Sequence, residues 1–397
     1  MLESTTGIYF ASELLQLLRD GQPRTRSELA AATGLSRSTV AQRVDELMGV
    51  GLIASLDAAA STGGRPSARF QLNTDRWLII AIDLGAKHCT VGLTSLRGDV
   101  IVSERYATEV SAGPEPVLEE AVATAMRLIE DTGRSVRDVA AVGIGLPGPV
   151  EFATGRPENP PIMPGWHHFD TPGFIRERID VPTLVDNDVN IAALGERALS
   201  PDGGDDMMFV KVSTGIGSGI ISGGRLQRGS RGIAGDIGHV RVASGRPVRC
   251  HCGNIGCLEA NASGPAIIEQ LNAKGLEIGT NAEIVARARE GNFLVAQVLR
   301  DAGRMIGEVL TTCVSVVNPA TIVIGGSLSA AGEHLLAGIR EHVYANSVPL
   351  AAEGLIIVQS RAASTVGVVG AGILAAEHVL SVPYVEEQLR LLRATAS

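Results

Sequence analysis

Three of the chain's five cysteines, Cys250, Cys252 and Cys257, fall within eight residues, in the run Cys250-His251-Cys252-Gly253-Asn254-Ile255-Gly256-Cys257-Leu258-Glu259. It follows Gly235-Asp236-Ile237-Gly238-His239. Such crowding suggests a metal before a disulfide or free thiols. Three thiolates and one imidazole form a common closed zinc set, structural and not hydrolytic, because no position stays open for water. His251 is the poorer imidazole, since it lies between two ligands and would point away. Cys89 and Cys313 sit in apolar segments and read as core thiols.

The 397 residues leave room for two or three domains. With 45% apolar and 19% charged residues, a sizeable core is possible and global disorder is excluded. Aromatics are only 3% and glycines number 47, so that core is aliphatic and its turns depend on glycine. The net charge of −9 argues against a wholly basic nucleic-acid binder. It is unevenly spread, however. Residues 1–76 balance eight Arg against eight acids, and the excess acid lies entirely beyond them. No apolar run reaches 18 residues; Val309–Gly325 is broken by Asn318-Pro319. The N-terminus lacks the basic region of a signal peptide. A soluble cytoplasmic protein without a membrane partner is expected.

Residues 8–19 carry apolar groups at helical spacing, and a second helix is predicted after an N-cap at Ser27. Gly34 marks a turn, and Ser36 to about Met48 forms a third helix with Val40, Val44 and Leu47 on one face. Helix, glycine turn and helix is the spacing of a helix-turn-helix. Ser36, Arg37, Ser38, Thr39, Gln42 and Arg43 occupy the other faces, where hydroxyl, amide and guanidinium groups suit base edges and phosphates. Two short strands then flank a loop with the tip Gly63-Gly64-Arg65-Pro66-Ser67, the wing of a winged helix. Gly64, Arg65 and Pro66 would place one guanidinium in a minor groove. The competing reading is a three-helix interaction module with a solvated face.

Two strand–glycine turn–strand units, at Leu78–Tyr106 and from Met208 onward, suggest a duplicated α/β architecture with a cleft between two lobes. Thr214-Gly215-Ile216-Gly217-Ser218-Gly219 offers unobstructed N–H groups to phosphate oxygens, or is a plain tight turn. It joins strand to strand, so it fails the context of a dinucleotide fingerprint. Asp188 ends an apolar strand and opens a helix. It is either a general base facing the cleft or a helix N-cap.

Taken together, these motifs resemble the ROK family of bacterial sugar-responsive repressors and sugar kinases. The likeness rests on the Cys250–Glu259 knuckle, the GxxGH before it, Asn187–Glu196 and Gly325-Gly326 after a β-run. It implies an α/β fold: a winged helix-turn-helix over 1–77, then a two-lobed actin-like ATPase (sugar kinase) fold over 78–397 with a structural zinc knuckle. Lobe one would span about 78–190 plus the C-terminal helix, and lobe two about 191–365. By the same resemblance His239, Cys250, Cys252 and Cys257 hold Zn2+. Gly145, Asn187, Asp188, Asp236, His239 and Glu259 form the sugar site, with Asp188 in the kinases' base position. Asp83, Gly85, Thr214, Gly215 and Gly217 are what is left of the phosphate loops.

Three departures weaken the kinase pattern. Lys87 replaces the Thr of the DxGxT motif, Asp236 is one methylene shorter than the family's Glu, and Ile162 stands where kinases often have a sugar-binding Asn. These departures argue against an ATP cofactor, and no catalytic residue is expected unless the chain is kinase-active, when it would be Asp188. The family predicts a transcriptional regulator, a repressor acting as a homodimer or homotetramer on a palindromic operator and controlled by a small sugar. The alternatives are an active ATP-dependent sugar kinase that also binds DNA, and a zinc-stabilised adaptor with no DNA role.

Overall fold

The computed structural model describes residues 3–56, 68–200, 204–362 and 365–396. The head begins with helix α1 (Glu3–Leu18), strand β1 (Arg24–Thr25) and helix α2 (Arg26–Thr33). The N-cap of α2 is Thr25 and not the expected Ser27. The Thr25 hydroxyl accepts the Glu28 N–H at 3.2 Å, and the Glu28 carboxylate accepts the Thr25 N–H at 2.7 Å. This reciprocal capping box satisfies two orphan donors, which a cap two residues later would leave unmet. Gly34, left-handed at φ 70°, ends the helix. Helix α3 (Arg37–Gly49) follows, capped by Ser36, and strands β2 (Ile53–Leu56) and β3 (Arg69–Leu72) complete a sheet of order β1-β3-β2. Val40, Val44 and Leu47 are buried as expected, against Leu14, Leu15, Leu29 and Phe70.

Lobe one contains β4 (Leu78–Leu84), β5 (His88–Thr94), β6 (Val100–Ala107), helix α4 (Pro114–Asp131), β7 (Val139–Leu146), the small hairpin β8 (Val150–Glu151) and β9 (Arg156–Pro157), helix α5 (Thr171–Arg176) and β10 (Thr183–Asn187). Its main sheet runs β10-β7-β4-β5-β6. Helix α6 (Asp188–Leu199) leads to lobe two: β11 (Met207–Val212), β12 (Ile216–Ser222), β13 (Arg225–Leu226), helices α7 (Leu258–Ala262), α8 (Gly264–Ala273), α9 (Asn281–Arg289) and α10 (Phe293–Val317), β14 (Thr321–Gly325), helices α11 (Glu333–Asn346) and α12 (Pro349–Ala352), and β15 (Ile356–Gln359). Its sheet runs β13-β12-β11-β14-β15. Each lobe has an antiparallel meander of three strands, extended by two parallel strands on the far side of the first. The duplication expected from the strand–turn–strand repeats is present.

Helices α13 (Val366–Val379) and α14 (Val382–Ala396) close the chain. The α13 helix packs on α6 at backbone distance. A Cβ on Gly370 would lie 1.6 Å from the Ile191 carbonyl oxygen, and one on Gly195 would lie 2.0 Å from that of Val366. The expected lobe boundary at 190/191 therefore cuts through α6, an element both lobes share. Two helices follow lobe two where one was expected. The far end of α13, with Ala376, Val379 and Leu380, enters the head's core beside Leu18 and Leu72, and Val385 and Leu389 of α14 join it. No single helix among the described residues is long and apolar enough to cross a membrane.

The Gly370 contact is testable. Replacing Gly370 with Ala drives a methyl into a backbone oxygen and should cost roughly 3 kcal/mol in urea unfolding. Gly279, with nothing within 4 Å of its Cβ direction, is the control. Gly279→Ala should stay within about 0.5 kcal/mol.

Candidate functional site

A cavity of about 520 Å³ lies between the lobes, within the range of small-ligand sites. Asn187, Asp188, Asp236, His239 and Glu259 line it, together with Thr214, Gly215 and Gly217. The β10–α6 junction supplies the first two. Asn187 caps α6: its side-chain oxygen accepts the Val189 N–H at 2.9 Å, and its amide nitrogen donates to the Gly148 carbonyl at 2.7 Å. Capping thus falls to Asn187, which leaves the Asp188 carboxylate free to turn into the cleft from the first helical position. There the helix dipole favours its charge.

The partner of Asp188 is Lys211 of β11, with Nζ 2.6 Å from Oδ2. Burial pushes the Asp188 carboxyl above its usual range, and Lys211 opposes that rise. Burial also disfavours charge on Lys211, but Asp188 and Asp83 outweigh it and raise its pKa, so the ammonium is retained. Sequence reasoning missed Lys211. The signal was there, because it is one of three lysines in a chain with 31 arginines and it interrupts an apolar strand.

On the opposite wall the Glu259 carboxylate accepts the Ile216 N–H at 3.1 Å and so pins the Thr214–Gly217 loop to α7. Asp236 is exposed at the cleft wall, and Ile162 also lines the cavity. His239 bridges two sites. Its Nδ1 lies 3.6 Å from Cys250 Sγ, while the ring lines the cleft. The ligand atoms of His239, Cys250, Cys252 and Cys257 all lie within 4.8 Å of one another, and all three cysteines are free thiols. Cys252 and Cys257 Sγ are 3.7 Å apart. Tetrahedral sulfurs on metal–sulfur bonds of about 2.3 Å sit about 3.8 Å apart, so this donor set fits one metal ion. His251 is exposed; Cys89 is buried and Cys313 half-buried.

Other expected residues lie elsewhere. Gly145 is absent from the cavity wall because it is packed under α6; a Cβ there would meet Ile191 Cδ1 at 2.1 Å. Asp83 sits against the start of α13, where a Cβ on Gly367 would lie 2.2 Å from its Oδ2. Gly85 is covered by the His88 ring, whose Cε1 lies 2.2 Å from the Cβ position, and the Gly85 N–H donates to the His88 carbonyl at 2.8 Å. This loop is therefore a closed turn and not an open cradle. Burial pushes the His88 imidazole down to about 4, so it is neutral near pH 7.

In the head, Ser36, Arg37, Ser38 and Gln42 are exposed and Thr39 is half-buried. The Ser36 hydroxyl accepts the Thr39 N–H at 3.2 Å. Arg43 corrects the expectation: it is buried, with Nη1 2.5 Å from Glu46 Oε2. Glu46 also pairs with Arg393 of α14 at 2.9 Å. Arg43 therefore serves the head's internal packing and is not on the exposed face. Gly64, Arg65 and Pro66 lie outside the described residues.

Comparison with known proteins agrees with this geometry. The chain matches the ROK family over residues 79–378 and a family described as winged helix-turn-helix DNA-binding over residues 12–54. It is 28% identical over 384 residues to a xylose repressor of Caldicellulosiruptor bescii, covering 93% of this chain and 96% of that one. It is 29% identical over 365 residues to the DNA-binding transcriptional dual regulator NagC of Escherichia coli, covering 88% of each. Among solved structures, a ROK family transcriptional regulator described as a homologue of the E. coli MLC protein superposes with a TM-score of 0.81 at 25% identity, over 99% of this chain and 100% of that one. A ROK family glucokinase from Streptomyces griseus, in complex with glucose and AMPPNP, gives 0.64 at 28% identity, over 76% of this chain and 99% of that one.

The donor geometry carries its own test. Cys257→Ser should purify with its metal largely lost by elemental analysis and with a lowered melting temperature. Full metal content in that variant would remove Cys257 from the donor set.

Proposed function

The chain belongs to the ROK family, and we propose that it is a DNA-binding transcriptional repressor whose hold on its operator is controlled by a sugar or sugar derivative in the interlobe cleft. One observation carries this reading: the helix-turn-helix head and the cleft are joined by α13, which touches α6 at one end and enters the head's core at the other. In the cleft Asp188, Asp236, His239 and Glu259 meet sugar hydroxyls, since carboxylates and an imidazole can pair vicinal hydroxyl groups and leave none unsatisfied. The relative named as a xylose repressor supports a sugar effector.

The metal is Zn2+, which takes three thiolates and an imidazole as a closed set. His239, Cys250, Cys252 and Cys257 would hold it, and it would brace the segment between Asp236 and Glu259. When His239 binds through Nδ1, its Nε2 is left for the sugar. On DNA, Ser36, Arg37, Ser38, Thr39 and Gln42 face the major groove and Arg65 the minor groove. A homodimer or homotetramer then reads a palindromic operator. A sugar that prefers one arrangement of the lobes shifts α13 and with it the spacing of the heads. The kinase alternative is disfavoured by the closed turn at Gly85 and by the ion pair on Asp188.

Gel-shift titration with the upstream DNA and a panel of sugars tests the reading. Arg37→Ala should weaken operator binding and lower its salt slope by about one. Asp188→Asn should leave DNA binding intact and weaken sugar release about ten- to hundredfold. Sugar-dependent ATP turnover that disappears in Asp188→Asn would replace the repressor reading with the kinase one.

A further inference from the structure

Two carboxylates belong to this side of lobe one: Asp188 in the cleft wall, and Asp83 behind it, against the start of α13. Asp83 ends β4 and shares a row with Gly145 of β7 and Asp186 of β10, two residues before Asp188. Asp188 opens α6 and is itself buried. Two neighbouring carboxylates in a poorly solvated place need positive charge to remain ionised. A divalent cation shared between oxygens is one way to supply it; a side chain is another. Lys211 reaches across from lobe two, and its Nζ rests 2.6 Å from Asp188 Oδ2. Its charge is sustained by both Asp188 and Asp83. Burial pushes the Asp83 carboxyl up, Lys211 and then Arg105 of β6 oppose that rise, and His88 is neutral. Lys211, held on Asp188, therefore supplies positive charge at this place with no metal. The residue type fits as well. In a chain with 31 arginines and three lysines, this position has a compact point charge, not a planar fork that would need bidentate partners.

We infer that Lys211 is a built-in counter-ion that takes the seat a divalent cation would hold between Asp83 and Asp188. It is thus a specificity-determining residue, by which the cleft admits its ligand while rejecting a divalent metal and the nucleotide complex such a metal would carry. The part of the inference that names the ligand rests on the sugar-cleft reading; the part about the cation does not.

Mn2+ is the probe, titrated by electron paramagnetic resonance into the full-length, zinc-loaded protein. Wild type and Lys211→Arg, which keeps the charge, should take up no Mn2+ in the cleft. Lys211→Ser should bind one Mn2+ per chain, at least about tenfold more tightly than wild type, because an opposing charge a few ångströms away has gone. The added Asp188→Asn substitution should abolish that binding. Lys211→Met, with an apolar stem of similar length, stands in if the Ser variant does not melt cooperatively. Uptake by the folded variants no greater than by wild type would overturn the inference. So would a wild-type Mn2+ site that Asp188→Asn removes. The titration uses neither operator nor sugar, so the repressor reading and this one fail separately.

Discussion

The close approach of α13 to its neighbours is the contact on which the remaining architecture depends. Besides Gly370 and Gly195, Gly143 of β7 would bring a Cβ to 2.0 Å from the Ala371 carbonyl oxygen, and Gly92 of β5 would meet Val368 at 2.6 Å. Glycines on four elements thus let one helix lie on both a sheet and α6 with almost no side chain between them. Interiors packed to this density move as units and do not deform continuously. A helix held so tightly at the cleft end cannot shift without moving its other end, which sits in the head.

The polar interior follows the same economy. Asp186 is fully buried, yet one of its oxygens accepts from Asn190 Nδ2 at 2.7 Å and from the Asn187 N–H at 2.8 Å. The other accepts from Arg228 Nε at 2.7 Å, and that guanidinium lies 3.8 Å from the Phe152 ring centroid. Arg228 belongs to the segment leading from β13 to Asp236 and Gly235. The segment is held further by Gly232, whose φ of 91° brings it onto Val150 of β8. With Lys211 on Asp188, two cationic side chains from lobe two are anchored on adjacent acids at the β10–α6 junction of lobe one. Removing either partner would leave a buried charge uncompensated, which costs more than the pair contributes. The cleft is therefore bounded by ion pairs that fix the lobes in one of their possible arrangements.

What the sequence made legible was local. The cysteine knuckle and the strand–turn–strand repeats both depend on spacing within one segment, and they stand where spacing put them. What stayed illegible depends on residues far apart in the chain. Arg43 has a helical neighbour in Glu46, but burial of the pair requires α14, whose Arg393 comes 347 positions later to Glu46. Lys211 alternates correctly for a strand face, and nothing local says that Asp188 waits opposite. Gly145 looks like a loop glycine beside a ligand until α6 is laid on it. The shift of the α2 cap from Ser27 to Thr25 is a different kind of miss. The Thr-x-x-Glu signature was local, but Ser27 two residues later competed for the same role.

The Arg43–Glu46–Arg393 cluster also bears on how a signal would leave the cleft. The side of α3 that carries Ser36, Arg37 and Gln42 is exposed, while its opposite side is tied to the last helix of the chain. The Gln16 side-chain amide nitrogen donates to the Leu380 carbonyl at 3.1 Å, which ties α1 to the end of α13 in the same way. The first and third helices of the head are therefore each fastened to the C-terminal pair, and not merely tethered through the strand that leaves the head at Leu72. A flexible linker would let the head keep its orientation while the lobes moved. These fastenings deny it that freedom, so a change at the β10–α6 junction has a continuous packed route to α3. In physical terms the two sites share one two-ended element, and its equilibrium is what a cleft ligand has to bias.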